Sequence, residues 1–276
     1  MKIAVTGATG FIGRHVINAL QATNAEVVAV VRQPCVLAKG IRTVVLNLEQ
    51  VTADSFAQLD YPDVLIHLAW GGLPNYKSLH HFENELPLHY RFIKQLVESG
   101  LSTVVVAGTC FEYGMQSGAL SADSPVLPAN PYAYAKAALH QQLRFLQNTH
   151  PFKLTWARLF YLYGAGQAPS SLYSLFQQAM AQNDNVFNMS GGEQLRDYLP
   201  VETAAQQLIQ LAIQQDNATV NICSGQPVSV RRLVEQWREQ KNSDIQLNLG
   251  YYPYPDYEPL AFWGVPYFTN NTGVQT

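Results

Sequence analysis

The sequence predicts an α/β protein, a doubly wound parallel sheet with a smaller α/β C-terminal lobe. Three observations carry that prediction. The apolar run from Lys2 to Val5 enters a glycine-rich turn and then a helical periodicity, giving strand, turn and helix start in one stretch. Strand-like and helix-like segments alternate through the first hundred residues. The stretch from Asp63 to Leu68 reads as an apolar strand of the kind covered on both faces of a parallel sheet.

The first turn is Thr6-Gly7-Ala8-Thr9-Gly10-Phe11-Ile12-Gly13, followed at helical spacing by His15, Val16, Ala19 and Leu20. Glycines at this spacing let the backbone turn sharply, approach a pyrophosphate and pack the new helix on the sheet. The helix N-terminus then presents free N–H groups and a partial positive charge to phosphate. We read a Rossmann-type dinucleotide site with Gly7, Thr9, Gly10, Phe11, Ile12 and Gly13 as its contacts; the bland alternative is a plain tight turn.

The second strand, Glu26 to Val31, ends at Arg32, with no acid between Val27 and Gln33. A carboxylate here would bind the adenosine ribose hydroxyls, whereas Arg suits a 2′-phosphate. NADPH is therefore expected, with NADH as the alternative. A third strand runs from Ile41 to Leu46, and Asn47-Leu48 is expected to flank the adenine. After the strand at residues 63–68 come Ala69, Trp70 and a Gly71-Gly72 turn, then a long helix from Leu79 to Ser99 and a fifth strand from Thr103 to Ala107. Ligands in such sheets sit at the carboxyl ends of the strands, so Arg32, Asn47, Leu68, Ala69 and Ala107 should converge.

Composition excludes several classes. The chain has 276 residues, 47% of them hydrophobic, which suits one large domain or a domain with an appended lobe. A net charge of −3 gives no general reason to expect nucleic-acid or membrane-surface binding, and no apolar run is long enough for a bilayer. The first strand begins at Lys2, leaving no room for a signal peptide, and Cys35, Cys110 and Cys223 fit a reducing compartment. A cytoplasmic location is expected. His67, His80, His81 and His89 lack ligand spacing, so no metal is expected. No Gly-x-Ser-x-Gly turn supports a serine hydrolase.

The second informative stretch is Asn130-Pro131-Tyr132-Ala133-Tyr134-Ala135-Lys136. Asn130 is a good helix N-cap and Pro131 a good first helical residue. Tyr132 and Lys136 then share a helical face, and an ammonium beside a phenol should lower the tyrosine pKa toward working pH. That makes Tyr132 a candidate general acid. Tyr134 has Ala138 at the equivalent position and lacks that partner.

With the Gly7/Gly10/Gly13 loop, His67-Leu68-Ala69 and Tyr132/Lys136 together, the chain resembles the extended short-chain dehydrogenase/reductase family, the nucleotide-sugar epimerases, dehydratases and ketoreductases. The resemblance places the family's hydroxyl residue at Thr109, hydrogen-bonding the substrate oxygen that Tyr132 protonates, while Lys136 also holds the nicotinamide ribose. It adds Leu159 to the cofactor contacts and Trp70 and Tyr161 to the substrate contacts. The dehydratase acid and base fall on Cys110 and Phe111, which cannot do that work. The catalytic Cys of the GDP-fucose synthase type falls on Phe111, and Cys110 reads as a packing residue.

One acid, one hydroxyl and one cofactor suffice for carbonyl reduction, and also for 4-epimerisation. The run Thr109-Cys110-Phe111-Glu112-Tyr113-Gly114 and the tail Tyr257-Glu258-Pro259-Leu260-Ala261-Phe262-Trp263-Gly264 look like the short reductases of nucleotide-linked 4-keto-6-deoxyhexoses. The implied reaction is NADPH-dependent reduction of dTDP-4-dehydro-6-deoxy-D-glucose to dTDP-D-fucose for cell-surface polysaccharide. CDP-linked keto-deoxyhexoses are the close competitors.

Lys153 to Leu159 gives a sixth strand, and Tyr161 stands where many family members have a diphosphate-contacting Asn. Arg196 matches the family's diphosphate clamp; the alternative is an internal Arg196–Asp197 neighbour pair. Pro169 to Gln182 reads as a helix over the sugar-nucleotide cleft. Val201 to Gln214 and Val228 to Gln240 read as helices and Thr219 to Ile222 as a strand. The expected division is a nucleotide-binding domain over 1–160, with a return segment at about 198–223, and a discontinuous substrate lobe over 161–276. The tail from Gly250 is expected to be irregular and to line the nucleobase pocket. A homodimer contact through the helices at Leu79 to Ser99 and Tyr132 to Asn148 is a family expectation.

Overall fold

A computed structural model describes residues 1–38 and 40–268. In chain order, β1 (Lys2–Thr6), α1 (Phe11–Leu20), β2 (Glu26–Val31), β3 (Arg42–Val45), α2 (Ser55–Gln58), β4 (Val64–His67), α3 (Leu86–Glu98) and β5 (Thr103–Thr109) form the first half of the main sheet unit. They are followed by β6 (Gly118–Leu120), α4 (Pro131–Leu146), β7 (Lys153–Leu159), β8 (Tyr161–Tyr163), α5 (Leu172–Gln182), β9 (Val186–Asn188) and β10 (Leu195–Pro200). The chain continues through α6 (Val201–Gln214), β11 (Ala218–Ile222), β12 (Pro227–Ser229), α7 (Val230–Gln240), β13 (Gln246–Asn248) and β14 (Phe262–Gly264).

Among the described residues, seven strands make one sheet in the order β11-β7-β5-β4-β1-β2-β3. Every pairing in it is parallel. The order reverses between β1 and β4, and such a reversal opens a crevice at the strands' carboxyl ends. Side chains alternate across each strand. Ile3 and Val5 face α1 and α6 with Val16, Ile17, Leu20 and Leu208. Ala4 and Leu65 face α3 and α4 with Phe92, Ile93, Leu96, Leu139 and Leu143. With roughly 1.5–3 kcal/mol from each fully buried large apolar side chain, these two layers hold the sheet's edge rigid beneath the site.

The helix expected over Leu79 to Ser99 is two pieces, a π-type turn at His81–Glu85 and then α3. Pro87 has no N–H to continue regular helical pairing. α6 packs in the α1 layer and β11 pairs with β7, so both belong to the main sheet unit. The remaining C-terminal elements build small sheets, β12-β10-β8 and β13-β9, around Phe176, Phe187, Leu233 and Trp237. The tail expected to be irregular contains β14, which pairs in parallel with β6. Residues 269–276, the expected end of the lobe, lie outside the described residues.

Candidate active site

The first turn closes through Gly10 N–H donating to Gly7 O at 2.9 Å. Gly7 has φ +69°, and a Cβ there would stand 2.8 Å from Ala69 N. A Cβ on Gly13 would stand 2.0 Å from Gly7 O, so α1 can cross the turn only without a side chain at that point. No described side chain caps α1, and its first turn carries no acid, which leaves its amides open to an anion. A cleft of about 650 Å³ continues from Thr9 past Arg32 and Asn47. The bare turn, free helix end and adjoining cleft fit a dinucleotide.

Within that cleft Arg32 is exposed, and Glu49, a carboxylate not anticipated from the sequence, shares the lining. Asn47 accepts from Glu49 N–H at 3.1 Å. Leu48, half-buried, packs against the core layer that includes Leu65 and Phe92. Phe11 and Ile12 pack on the α1 layer, as do Leu68 and Leu159. Leu68 N–H donates to Thr6 O at 3.3 Å, and Ala69 N–H reaches Thr6 Oγ1 at 3.4 Å. These contacts pin the end of β4 against the glycine turn.

Asn130 caps α4 by accepting Ala133 N–H at 2.9 Å, with Pro131 in the first turn. This start brings the Tyr132 phenol close to the Thr109 hydroxyl at the end of β5, near enough for that hydroxyl to act on the phenol's ionisation. Burial pushes Tyr132 well above the usual tyrosine range, outweighing the opposing influence of the Thr109 hydroxyl. The expected lowering of its pKa by Lys136 is therefore corrected. Lys136 itself is buried, and its Nζ donates to Ala107 O at 2.9 Å and lies 3.9 Å from the Trp70 ring centroid. Burial brings the amine down to about 7.

Trp70, expected at the substrate, is engaged in this support. Its ring stacks on His89 at 4.6 Å and its Nε1 donates to His81 Nδ1 at 3.1 Å. Beneath it runs a buried chain: Thr6 Oγ1 to His67 Nδ1 (2.8 Å), His67 Nε2 to His89 Nδ1 (2.8 Å) and His89 Nε2 to Glu85 Oε2 (3.0 Å). Burial disfavours charge on His67 and His89, while bonds from His89 and Gly71 N–H overcome burial to hold Glu85 down at about 2. Among the described residues no group of three or more His, Cys, Asp or Glu is placed to hold a metal. Cys110 is buried, and burial pushes its thiol far up.

On the lobe side, Arg196 is 1% exposed. Its Nη1 donates to Leu195 O and Leu260 O, and its Nη2 lies 3.4 Å from Glu258 Oε1. That Nη2 has no hydrogen-bond partner among the described residues. The Tyr161 hydroxyl also donates to Glu258. Burial pushes Glu258 up to about 7. The neighbour-pair alternative for Arg196 is corrected: Asp197 points away and accepts from Ser224 N–H, Ser224 Oγ and Gly225 N–H. Tyr76 and Tyr257 roof the cleft, their rings 6.0 Å apart, with Tyr76 5.6 Å from Tyr132. Tyr76 and Glu258 were missed because no spacing rule marks a loop or tail that returns over a cleft, and Glu112 because its partners Trp156 and Arg158 lie on a distant strand.

This geometry can be set beside known proteins. A dTDP-6-deoxy-L-talose 4-dehydrogenase (NAD(+)) of Aggregatibacter actinomycetemcomitans is 29% identical over 269 residues, covering 96% of this chain and 99% of its own. The GDP-6-deoxy-D-talose 4-dehydrogenase of the same organism is 24% identical over 249 residues, covering 85% and 78%. Among solved structures, MoeE5 in complex with UDP-glucuronic acid and NAD superposes with TM-score 0.81 at 26% identity, covering 97% of this chain and 90% of that one. Residues 3–223 match the family model described as NAD dependent epimerase/dehydratase family. The glycine turn, the sheet that carries it and the Tyr132/Lys136 helix all lie within that match, and the chain belongs to the NAD dependent epimerase/dehydratase family.

Proposed function

We propose that the protein is a nucleotide-sugar 4-ketoreductase that converts dTDP-4-dehydro-6-deoxy-D-glucose to dTDP-D-fucose with NADPH, in the cytoplasm, for cell-surface polysaccharide synthesis. The observation that carries this reading is the Thr109–Tyr132 hydroxyl pair, with the two positions after Thr109 held by a buried Cys110 and by Phe111, neither of which can serve as the dehydratase acid or base. The names of the two talose dehydrogenases, which describe oxidoreduction at C4 of nucleotide-linked 6-deoxyhexoses, support the same bond.

Bound NADPH would supply a hydride to C4. Gly7 to Gly13 and the α1 amides would hold its pyrophosphate, Arg32 its 2′-phosphate and Lys136 its nicotinamide ribose. Support for the phosphorylated cofactor is Arg32 and the absence of an acid at the end of β2; MoeE5 and the L-talose relative are named with NAD. Thr109 hydrogen-bonds the 4-keto oxygen, and Tyr132 gives its proton to the alkoxide. A phenol raised by burial stays protonated at neutral pH, as an acid must. Arg196, whose Nη2 meets Glu258 as an ion pair but makes no hydrogen bond among the described residues, would be the cation for the diphosphate.

The test is cofactor consumption with enzymatically prepared dTDP-4-dehydro-6-deoxyglucose and NMR of the product. Stoichiometric NADPH oxidation with a galacto-configured sugar is expected. A gluco-configured product would reverse the facial choice, and turnover only with a CDP-linked keto-deoxyhexose would move the substrate. Sugar interconversion without net cofactor use would replace the reading with a 4-epimerase. The exposed Tyr134 and Phe145 on α4 support a homodimer through α3 and α4, to be read by sedimentation equilibrium.

A further inference from the structure

The proposed reaction needs the Thr109 hydroxyl fixed as a donor beside Tyr132, and the residues that fix it lie outside the Tyr/Lys motif. β5 ends at Thr109, and Cys110–Tyr113 form a 3₁₀ turn. Thr109 Oγ1 accepts Phe111 N–H at 3.3 Å, while Glu112 Oε1 accepts Thr109 N–H at 2.9 Å. This reciprocal capping box holds backbone and side chain of the same residue at once.

Capping carboxylates ordinarily face water, but Glu112 is 0% exposed. A buried carboxylate persists only when paired and hydrogen-bonded. Arg158 Nε donates to its Oε2 at 2.8 Å, and Trp156 Nε1 lies 3.0 and 3.1 Å from its two oxygens. Arg158 is itself held by the Tyr113 hydroxyl and Ala122 O, each at 3.0 Å. Gly108 makes room for this meeting: a Cβ there would stand 2.4 Å from Trp156 Nε1 and 2.7 Å from Glu112 Oε1. Trp156 and Arg158 are two apart on β7 and so share a face, with Gly108 in register opposite Arg158.

A hydroxyl has one proton and two lone pairs. With one lone pair of Thr109 taken by Phe111 N–H, its proton and second lone pair are left for Tyr132 and a substrate oxygen. We infer that Glu112, anchored by Arg158 and Trp156, is a positioning residue that sets the Thr109 hydroxyl at the Tyr132 phenol. The inference rests on the catalytic reading of Thr109 above.

The test is a double-mutant cycle of Glu112→Gln with Thr109→Ala, assayed with dTDP-4-dehydro-6-deoxyglucose and NADPH. NADPH affinity is measured by calorimetry and folding by thermal melting. Glu112→Gln is expected to lower kcat about tenfold or more, with the sugar-nucleotide KM and NADPH affinity within about threefold. In the Thr109→Ala background the same change should alter kcat by less than about threefold. Equal losses in both backgrounds, or full kcat in Glu112→Gln, would overturn the inference and mark Glu112 as a structural ion pair only. Full activity of Thr109→Ala alone would instead overturn the catalytic reading. Should Glu112→Gln fail to fold, Glu112→Asp, which keeps the charge and withdraws it from Thr109 N–H, enters the same cycle under the same criteria.

Discussion

Lys136 Nζ rests 3.9 Å from the centroid of the Trp70 ring while donating to Ala107 O. The amine is thus clamped between an aromatic face and the end of β5, away from bulk water. Its folded pKa of about 7 lies below the ordinary lysine value of 10.5. Between these values the unfolded chain holds more protons, so the lysine's contribution to stability rises with pH from about 7 to 10.5 and is lost as pH falls through 7. Against wild type, Lys136→Met should therefore be relatively most stable near pH 7 and lose that advantage toward pH 10. Urea melts at several pH values check this; a gap independent of pH would contradict it.

Tyr132→Phe removes the proton donor while keeping the ring between Trp70 and Tyr76. General acid catalysis contributes roughly 10²–10⁴-fold, so turnover should fall by at least about a hundredfold, with NADPH affinity changed by only a few-fold. Steady-state rates and calorimetry measure both. Wild-type rates in this variant would remove Tyr132 from the chemistry.

Arg32→Asp should move cofactor preference from NADPH toward NADH, because a carboxylate repels a 2′-phosphate and accepts bonds from a ribose diol. Glu49 in the same cleft already offers one carboxylate, so the swap should leave NADH usable. The ratio of kcat/KM values for the two cofactors is the readout. An unchanged ratio would sink the role of Arg32.

Arg196→Lys keeps the charge and loses the planar fork. One charge-assisted bond is worth about 1.5–3 kcal/mol, which predicts a KM for the sugar nucleotide raised about tenfold or more, with NADPH KM unchanged. Glu258→Gln removes the carboxylate that now faces the guanidinium and should lower that KM. Should both substitutions leave KM unchanged, Arg196 is a packing cation of the lobe.

The sheet and its glycine turn were legible because both depend on short-range pattern. A strand running into Gly7, Gly10 and Gly13 has few other structures open to it, since Cβ atoms at Gly7 or Gly13 would collide with backbone. Asn130, Pro131, Tyr132 and Lys136 were legible for the same reason, as one helix start with one helical face. The three-residue strands β6, β8, β9 and β12 to β14 were not, because three residues carry no measurable alternation and their partners are distant in sequence.

By itself, then, the sequence determined the parallel sheet, the glycine turn and the Tyr132/Lys136 pair. Tertiary structure alone decided what surrounds them. Burial raises Tyr132 where sequence proximity to Lys136 argued for lowering it. Trp70 turns to Lys136 and His89, and Glu258 arrives at Arg196 from a tail 62 residues further on. The physical reason is that solvation and charge pairing depend on everything packed around a group. Spacing along one helix or strand reports only the neighbours that the chain itself supplies.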